Sequence, residues 1–476
     1  MIRIIGIDGL DKNILDRHID ALPGFRKMRE AGILTTIKSV FPADSVPAWT
    51  TIFTGLNPAE HGIIRGKDYI ESVSAFEEQN GFKLQGRTFW DHLSGKGYKC
   101  LVINPFLAYP AWEMNGIMES GPAFIEGDYS IFPVGTPTIH PEVLGGYSAI
   151  SSLAGLKNEM EKIFDDTEKL WKEYEYQADK DNFDLEFVTF TTLDRLQHYT
   201  WRYYDRNDPL YENDEYFSGC IPRLLKKFDE KIDSLLLKMK EDDIMILISD
   251  HGFRQRPYEL INLNEYLRRK GLLVLKKEYD TASARNTQIL KKKLISLLSH
   301  LKLLDLIGSR LKKIKGVGRL KKSDHLIDKE QSVCYTDDLF SGKKPYVGLN
   351  FGNKIRKANY DEIESAFRDI SSALCSGDIP QPLWIKRSKD LYSGEFQSRL
   401  PDICMEFRPE NGIEFNYFGE ILETSSTHYR ISGGHFGSGT FGFYGKKDIP
   451  DPPESIIDFS AFIKTLKGSG SEIINK

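Results

Sequence analysis

The chain has 476 residues, enough for two or three domains or for one large α/β domain with insertions. Hydrophobic residues at 40% and charged residues at 28% exclude a disordered, collagen-like or mainly membrane-embedded chain. The formal charge of −5 excludes the chain-wide basic field that general nucleic-acid binding needs. Cys100, Cys220, Cys334, Cys375 and Cys404 are scattered and form no Cys-x-x-Cys pair, so neither a disulfide framework nor a thiolate zinc site is expected. Asp8 interrupts the short apolar N-terminal run where a signal peptide would continue, and no stretch is long enough for a membrane span; a cytoplasmic protein is expected.

The first predicted element is a buried strand, Ile2 to Ile7, ending on Asp8. Phe41 to Trp49 reads as a loop entering a helix with Pro47 in its first turn, where a missing N–H costs nothing. Ser45 then sits just ahead of a helix N-terminus, whose free N–H groups and dipole favour an anion. Taken alone, such a serine is an N-cap. From Asn104 to Tyr147 the chain is rich in Pro, Gly and aromatic residues and reads as long loops at a substrate rim.

A helix is expected over Ser151 to Gln177, then a second buried strand, Leu185 to Leu193, before Asp194. Asp194 and His198 are four residues apart, so on a helix they share one face. After a helix over Ile221 to Lys240 comes a third strand, Ile244 to Ser249, followed by Asp250, His251 and Gly252. These β-branched, nearly continuous runs suit a mostly parallel central sheet sandwiched by helices, in which ligands collect beyond the carboxyl ends of the strands.

Residues 276–325 form an expected basic helical cap insertion. Between Lys291 and Lys322 eleven Lys and Arg residues face only Asp305, and Leu294, Leu297, Leu298, Leu301 and Leu304 recur at helical spacing. Such a helix packs as a solvated cap or makes peripheral contact with an anionic membrane. A helix over Tyr360 to Cys375 follows. Gly433 to Thr440 then places His435 in a glycine-rich loop, and residues 466–476 read as a tail. The catalytic core is thus expected to comprise 1–275 and 326–465, with 104–147 inserted at the rim.

Asp8, Ser45, Asp194, His198, Asp250, His251 and His435 supply oxygen and nitrogen donors without sulfur. This set suits two divalent cations, zinc or alternatively manganese, each with an open position for a phosphoryl oxygen. His61, His92, His140 and His428 lack such surroundings and are assigned structural roles, His61 as a turn residue.

In order and spacing these motifs resemble the type I phosphodiesterase/nucleotide pyrophosphatase branch of the alkaline phosphatase superfamily. The resemblance rests on Ile7-Asp8-Gly9, on Phe41-Pro42 through Ser45 to Pro47, on Thr54-Gly55, Pro58 and His61-Gly62-Ile63, and on the later Asp and His positions. It implies an alkaline phosphatase-like fold with Ser45 as nucleophile. One metal would be held by Asp8, Asp250, His251 and the Ser45 oxygen, the other by Asp194, His198 and His435. The implied substrate is a small phosphate ester or nucleotide. The chain departs from the family where an Asn holding a phosphate oxygen is expected, reading Arg65-Gly66-Lys67; Arg65 or Lys67 then becomes the candidate phosphate clamp. A phosphomonoesterase or phosphomutase of the same superfamily is the alternative, and a sulfatase is disfavoured because Trp49 stands where that motif needs Arg. A non-catalytic metal-containing module docking on anionic lipid would have been favoured by a lost ligand, and none is lost.

Overall fold

The computed structural model describes residues 1–74, 84–145, 150, 153–280, 326–337, 343–445 and 451–468. Its central element is an eight-stranded sheet. In chain order the strands are β1 (Ile2–Ile7), β2 (Ile33–Lys38), β3 (Cys100–Ile103), β4 (Gly116–Ser120), β5 (Ser130–Phe132), β6 (Leu185–Phe190) and β7 (Ile244–Ile248), with Ser438–Gly445 closing it near the C-terminus. The spatial order is β2, Ser438–Gly445, β7, β1, β6, β3, β4, β5. From β7 to β4 all neighbours are parallel, and antiparallel pairing is confined to the two margins.

The parallel strands are apolar on both faces, as strands covered twice must be. In β1, Ile5 and Ile7 point into one core layer with Val188, Phe190, Leu101 and Leu247. Ile2 and Ile4 point into the other with Phe187, Val102 and Ile246. Helices Pro23–Ala31, Leu156–Ala178, Thr192–Tyr204 and Cys220–Lys238 contribute to the first layer; Ser45–Thr54, Phe89–Gly95 and Ile456–Gly468 contribute to the second. Gly6, in the middle of β1, makes room for a helix residue: a Cβ there would lie 2.8 Å from the Trp49 ring. Among the described residues no helix is long and apolar enough to cross a membrane.

Beyond β7 the described residues form three smaller sheets. β8 (Gly252–Gln255) pairs with Gly433–Phe436, and β9 (Glu259–Asn262) lies between Asn411–Glu414 and Leu422–Thr424. Residues 334–406 contribute a four-stranded antiparallel sheet, ordered Cys334–Thr336, Tyr346–Phe351, Ile403–Glu406, Trp384–Arg387. This sheet has its own core, into which helix Tyr360–Leu374 sets Ala366, Ile370 and Leu374.

Several sequence expectations are refined. The second strand stops at Phe190, so Asp194 lies in the first turn of helix Thr192–Tyr204. The 104–147 segment is not all loop: β4 and β5 extend the main sheet, with β4 beside β3. The basic stretch Lys291 to Lys322 lies outside the described residues, as do residues 469–476 of the tail; 466–468 belong to the last helix.

Phe187 lies at the centre of the second layer, with ring centroids 5.7 Å from Phe53, 5.6 Å from Phe89 and 5.8 Å from Trp90. Phe187→Ala removes an aromatic ring from a close-packed core and is expected to cost about 3–5 kcal/mol. Guanidinium denaturation checks this; a loss under about 1 kcal/mol would show that the layer can collapse around the gap.

Candidate active site

Register brings the acids together. In the parallel ladders Ile7 of β1 stands opposite Phe190 of β6, and Gly6 stands opposite Ile248 of β7. The residues leaving the carboxyl ends of these three adjacent strands therefore enter one space, where Asp8, Asp194 and Asp250 are all buried. Gly9 turns the chain sharply after β1 with φ +70, and a Cβ there would press 3.2 Å from Asp194. Its N–H donates to Asp250 Oδ1 at 3.2 Å.

Ser45 is the first residue of its helix rather than the residue before it, because Asp44 takes the N-cap position and its carboxylate accepts from Val46 N–H at 3.5 Å. Ser45 Oγ lies 3.1 Å from His251 Nε2 and 3.4 Å from Asp8 Oδ1. Trp49, one turn further on, donates its indole N–H to Asp8 Oδ2 at 3.0 Å, fixing the carboxylate. The helix thus delivers a hydroxyl and orients its neighbour.

His435 was expected in a loop, but it lies on the short strand Gly433–Phe436, opposite Phe253 of β8. The reason is Gly252, where β8 runs so close to the closing strand that a Cβ would meet the Ser438 carbonyl at 2.2 Å. His435 Nε2 comes within 3.0 Å of His198 Nε2 and 3.3 Å of Asp194 Oδ1. His198 Nε2 is 3.4 Å from Asp194 Oδ2.

Two histidine tautomers follow from the backbone. His198 Nδ1 faces the Gly433 carbonyl at 2.9 Å and His251 Nδ1 faces the Gly252 carbonyl at 3.1 Å. Each Nδ1 therefore carries the proton and donates it, leaving a lone pair on Nε2, the arrangement that orients metal-binding imidazoles. Those lone pairs point at carboxylates: His251 Nε2 lies 3.2 Å from Asp250 Oδ2 and 3.6 Å from Asp8 Oδ1. Asp250 Oδ2 is buried with no hydrogen-bond partner. Lone pairs converging on anionic oxygens repel unless a cation sits among them, so the donor set fits divalent metal ions.

The electrostatics agree. Burial, then the charges of Asp250 and Asp194, push Asp8 well above the usual carboxylate range, and burial together with Asp194 does the same to Asp250. Asp194 also suffers burial, but His198 and His435 outweigh it and hold its carboxyl well below that range. Burial, assisted by His435, drives His251 down to about 3. Asp194, His198 and His435 form one group of ligand atoms close enough to share an ion, and Asp8, Asp194 and His251 form another. Asp194 stands in both groups, whereas the family resemblance assigns it to one.

Arg65 and Lys67, expected to contact substrate, are engaged elsewhere. Arg65 pairs with Asp68 at 3.2 Å and Lys67 with Glu71 at 3.2 Å. Neither lines the cavity of about 660 Å³ that opens over Ser45. Its cations are Arg256, Lys343 and Lys344, none of them anticipated from the sequence. Lys344 forms an ion pair with Asp44, and that carboxylate is also 3.8 Å from His435 Nδ1. The signal for Lys344 was thin: a Lys-Lys-Pro step before an apolar run, 300 residues from its partner. His61 is buried, accepting from Ile63 N–H and lying 3.1 Å from Thr51 Oγ1. His428 is also buried and is paired with Asp208.

The type I phosphodiesterase/nucleotide pyrophosphatase family pattern matches residues 3–410. No curated protein matches the chain. Among solved structures, phosphonoacetate hydrolase from Sinorhizobium meliloti 1021, in complex with phosphonoacetate, is 13% identical. The match covers 98% of this chain and 95% of that one, with a TM-score of 0.52. An inactive murine ectonucleotide pyrophosphatase/phosphodiesterase 5 in complex with AMP is also 13% identical, over 98% and 94% of the two chains, with a TM-score of 0.46. The chain belongs to the type I phosphodiesterase/nucleotide pyrophosphatase family and is a phosphoester hydrolase.

Proposed function

We propose that the chain is a divalent-metal-dependent phosphodiesterase or nucleotide pyrophosphatase with Ser45 as its nucleophile. The observation that carries this reading is the position of Ser45 Oγ, at a helix N-terminus, 3.1 Å from His251 Nε2 and 3.4 Å from Asp8 Oδ1. Asp8, Asp250, His251 and Ser45 would hold one ion, and Asp194, His198 and His435 the other; Asp194 also lies close to Asp8 and His251. When bound, the ions supply positive charge that lowers the pKa of the serine hydroxyl and offsets charge developing on the phosphoryl oxygens.

The protein's own groups supply the rest. Trp49 holds Asp8 in one rotamer, and the Gly252 and Gly433 carbonyls keep the Nε2 atoms of His251 and His198 turned inward. The helix dipole at Ser45 favours the anionic phosphoryl group beside it. In the reaction Ser45 Oγ forms a bond to phosphorus while the bond from phosphorus to the leaving oxygen breaks; water then hydrolyses the phosphoserine ester and restores the hydroxyl.

A diester, rather than a monoester, is supported by the cavity next to Ser45. Val46, Phe106, Phe124, Pro257 and Ile431 line it, an apolar surface suited to an organic substituent that remains on phosphorus. With Zn²⁺ or Mn²⁺ added, bis(4-nitrophenyl) phosphate is therefore expected to turn over faster than 4-nitrophenyl phosphate. A monoester preference greater than about tenfold would instead indicate a phosphomonoesterase.

Ser45→Ala is expected to lower kcat by about a thousandfold or more while metal content, read by elemental analysis, changes little. Retained turnover in that variant would identify water as the nucleophile. Chelation should also destabilise the fold, because it leaves the clustered buried carboxylates without counter-charge. Ions present at about a thousand times their dissociation constant contribute about 4 kcal/mol, so the melting temperature should fall on chelation and recover when metal is restored. An unchanged melting temperature would argue against metal binding at these residues.

A further inference from the structure

The cavity contains a second concentration of charge that the Ser45 chemistry leaves unused. Arg256 and Lys343 line the same space as Ser45, Asp194 and His435. They arrive from different parts of the fold. Arg256 follows β8 directly, and its N–H donates to the Ser432 carbonyl at 2.7 Å, tying it to the strand that carries His435.

Lys343 precedes the strand Tyr346–Phe351, with φ +60. A side chain other than Gly, Asn or Asp adopts this left-handed backbone only at a cost, and such strain gathers at functional positions. Lys343 Nζ lies 3.6 Å from Glu414 and 3.2 Å from Thr427 Oγ1. Burial lowers the pKa of its ammonium, and the charge of Arg256 lowers it further; the attraction of Glu414 and Glu423 does not make up the difference. Burial likewise disfavours the charged form of Arg256, which Glu414 attracts as it attracts Lys343. The two like charges repel across one cavity, and an anionic group entering it would add to the counter-charge that Glu414 alone gives them both.

We propose that Arg256 and Lys343 form a second anion subsite, which takes a carboxylate or phosphoryl group carried on the organic part of the substrate while its scissile phosphoryl group lies at Ser45. This rests on the phosphodiesterase reading for the place of the scissile group. It narrows the substrates to those with two separate anionic centres. Arg256 offers a planar fork of donors that matches either oxyanion, and Lys343 adds a point charge.

The test is calorimetric titration of the metal-loaded full chain with three non-hydrolysable probes of equal carbon length: propylphosphonate, 3-phosphonopropionate and propane-1,3-diphosphonate. At least one probe with two anions should bind about tenfold tighter than propylphosphonate, the size of one charge-assisted hydrogen bond. Whichever gains more identifies the second group as carboxylate or phosphoryl. Arg256→Gln and Lys343→Asn should each bring that affinity ratio to within about threefold of unity, Asn being chosen because it tolerates the left-handed backbone. If Arg256→Gln melts well below the wild type, Arg256→Lys takes its place and should keep only part of the ratio. Equal affinity for all three probes in the wild type, or an undiminished ratio in the variants, overturns the subsite. Turnover of bis(4-nitrophenyl) phosphate, measured in parallel, reports on the diesterase reading separately: a protein that discriminates the probes but hydrolyses no diester retains the subsite and loses that reading.

Discussion

Three buried carboxylates at the ends of three neighbouring parallel strands are the constraint around which the rest of this molecule is arranged. Asp8, Asp194 and Asp250 cannot all ionise in a space shielded from water unless positive charge lies among them. The sheet gives them no freedom to separate, because the pairing of β1 with β6 and β7 fixes where each chain emerges. His251 does not relieve the problem, since it presents a lone pair inward and burial disfavours its charged form. The fold therefore concentrates unfavourable electrostatics at one edge and balances them with two thick apolar layers, one on each face of the sheet.

The surrounding hydrogen bonds serve to prevent relaxation. A carboxylate under repulsion would rotate away if it could, but Asp8 accepts from the Trp49 indole and Asp250 from the Gly9 amide. Gly433 is equally constrained: a Cβ there would lie 2.3 Å from the Phe253 ring and 2.5 Å from the Gln197 carbonyl, so only glycine lets His435 and His198 approach each other. Asp44 joins this frame to the antiparallel sheet. It caps the Ser45 helix, pairs with Lys344 and lies 3.8 Å from His435 Nδ1. One carboxylate thus couples the position of the serine helix to residues from two distant parts of the chain.

This division explains what the sequence reveals. Strand-end acids and the i, i+4 pair Asp194 and His198 are local patterns, and the parallel sheet converts them into a site by simple register. Asp8, Ser45, Asp194, His198, Asp250, His251 and His435 are accordingly brought together. The strand character of His435 was hidden because glycines on both sides mimic a loop, and the pairing that orders them comes from β8, nearly 180 residues earlier. Arg65 and Lys67 attracted notice because they replace an expected Asn. A one-dimensional motif cannot show that Asp68 and Glu71, three and four residues on, lie beside them, or that neither cation lines the Ser45 cavity. The antiparallel sheet of 334–406 was equally hard to see, since its short strands carry no recognised motif, and with it went Lys343 and Lys344.

The three walls of the cavity divide recognition between elements of different character. Strand ends, helix Thr192–Tyr204 and the strand Gly433–Phe436 hold the acids and histidines, whose positions must agree closely with one another for phosphoryl chemistry. The second wall, with Arg256 and Lys343, is built from segments after β8 and before Tyr346, where a change of residue leaves the central sheet intact. Phe106 and Phe124 belong to the 104–147 segment, and Phe124 remains 56% exposed even though it packs edge-on against Phe106 and Tyr69. A large aromatic side chain left in water beside a phosphoryl site has apolar surface still to bury, and an organic substituent of the substrate can cover it. On the proposed reading, chemistry is fixed at the carboxyl ends of the central sheet, while the choice of substrate rests on side chains from the 104–147 segment and from beside the second sheet. The same central strands can then serve substrates that differ in everything except the phosphoryl group.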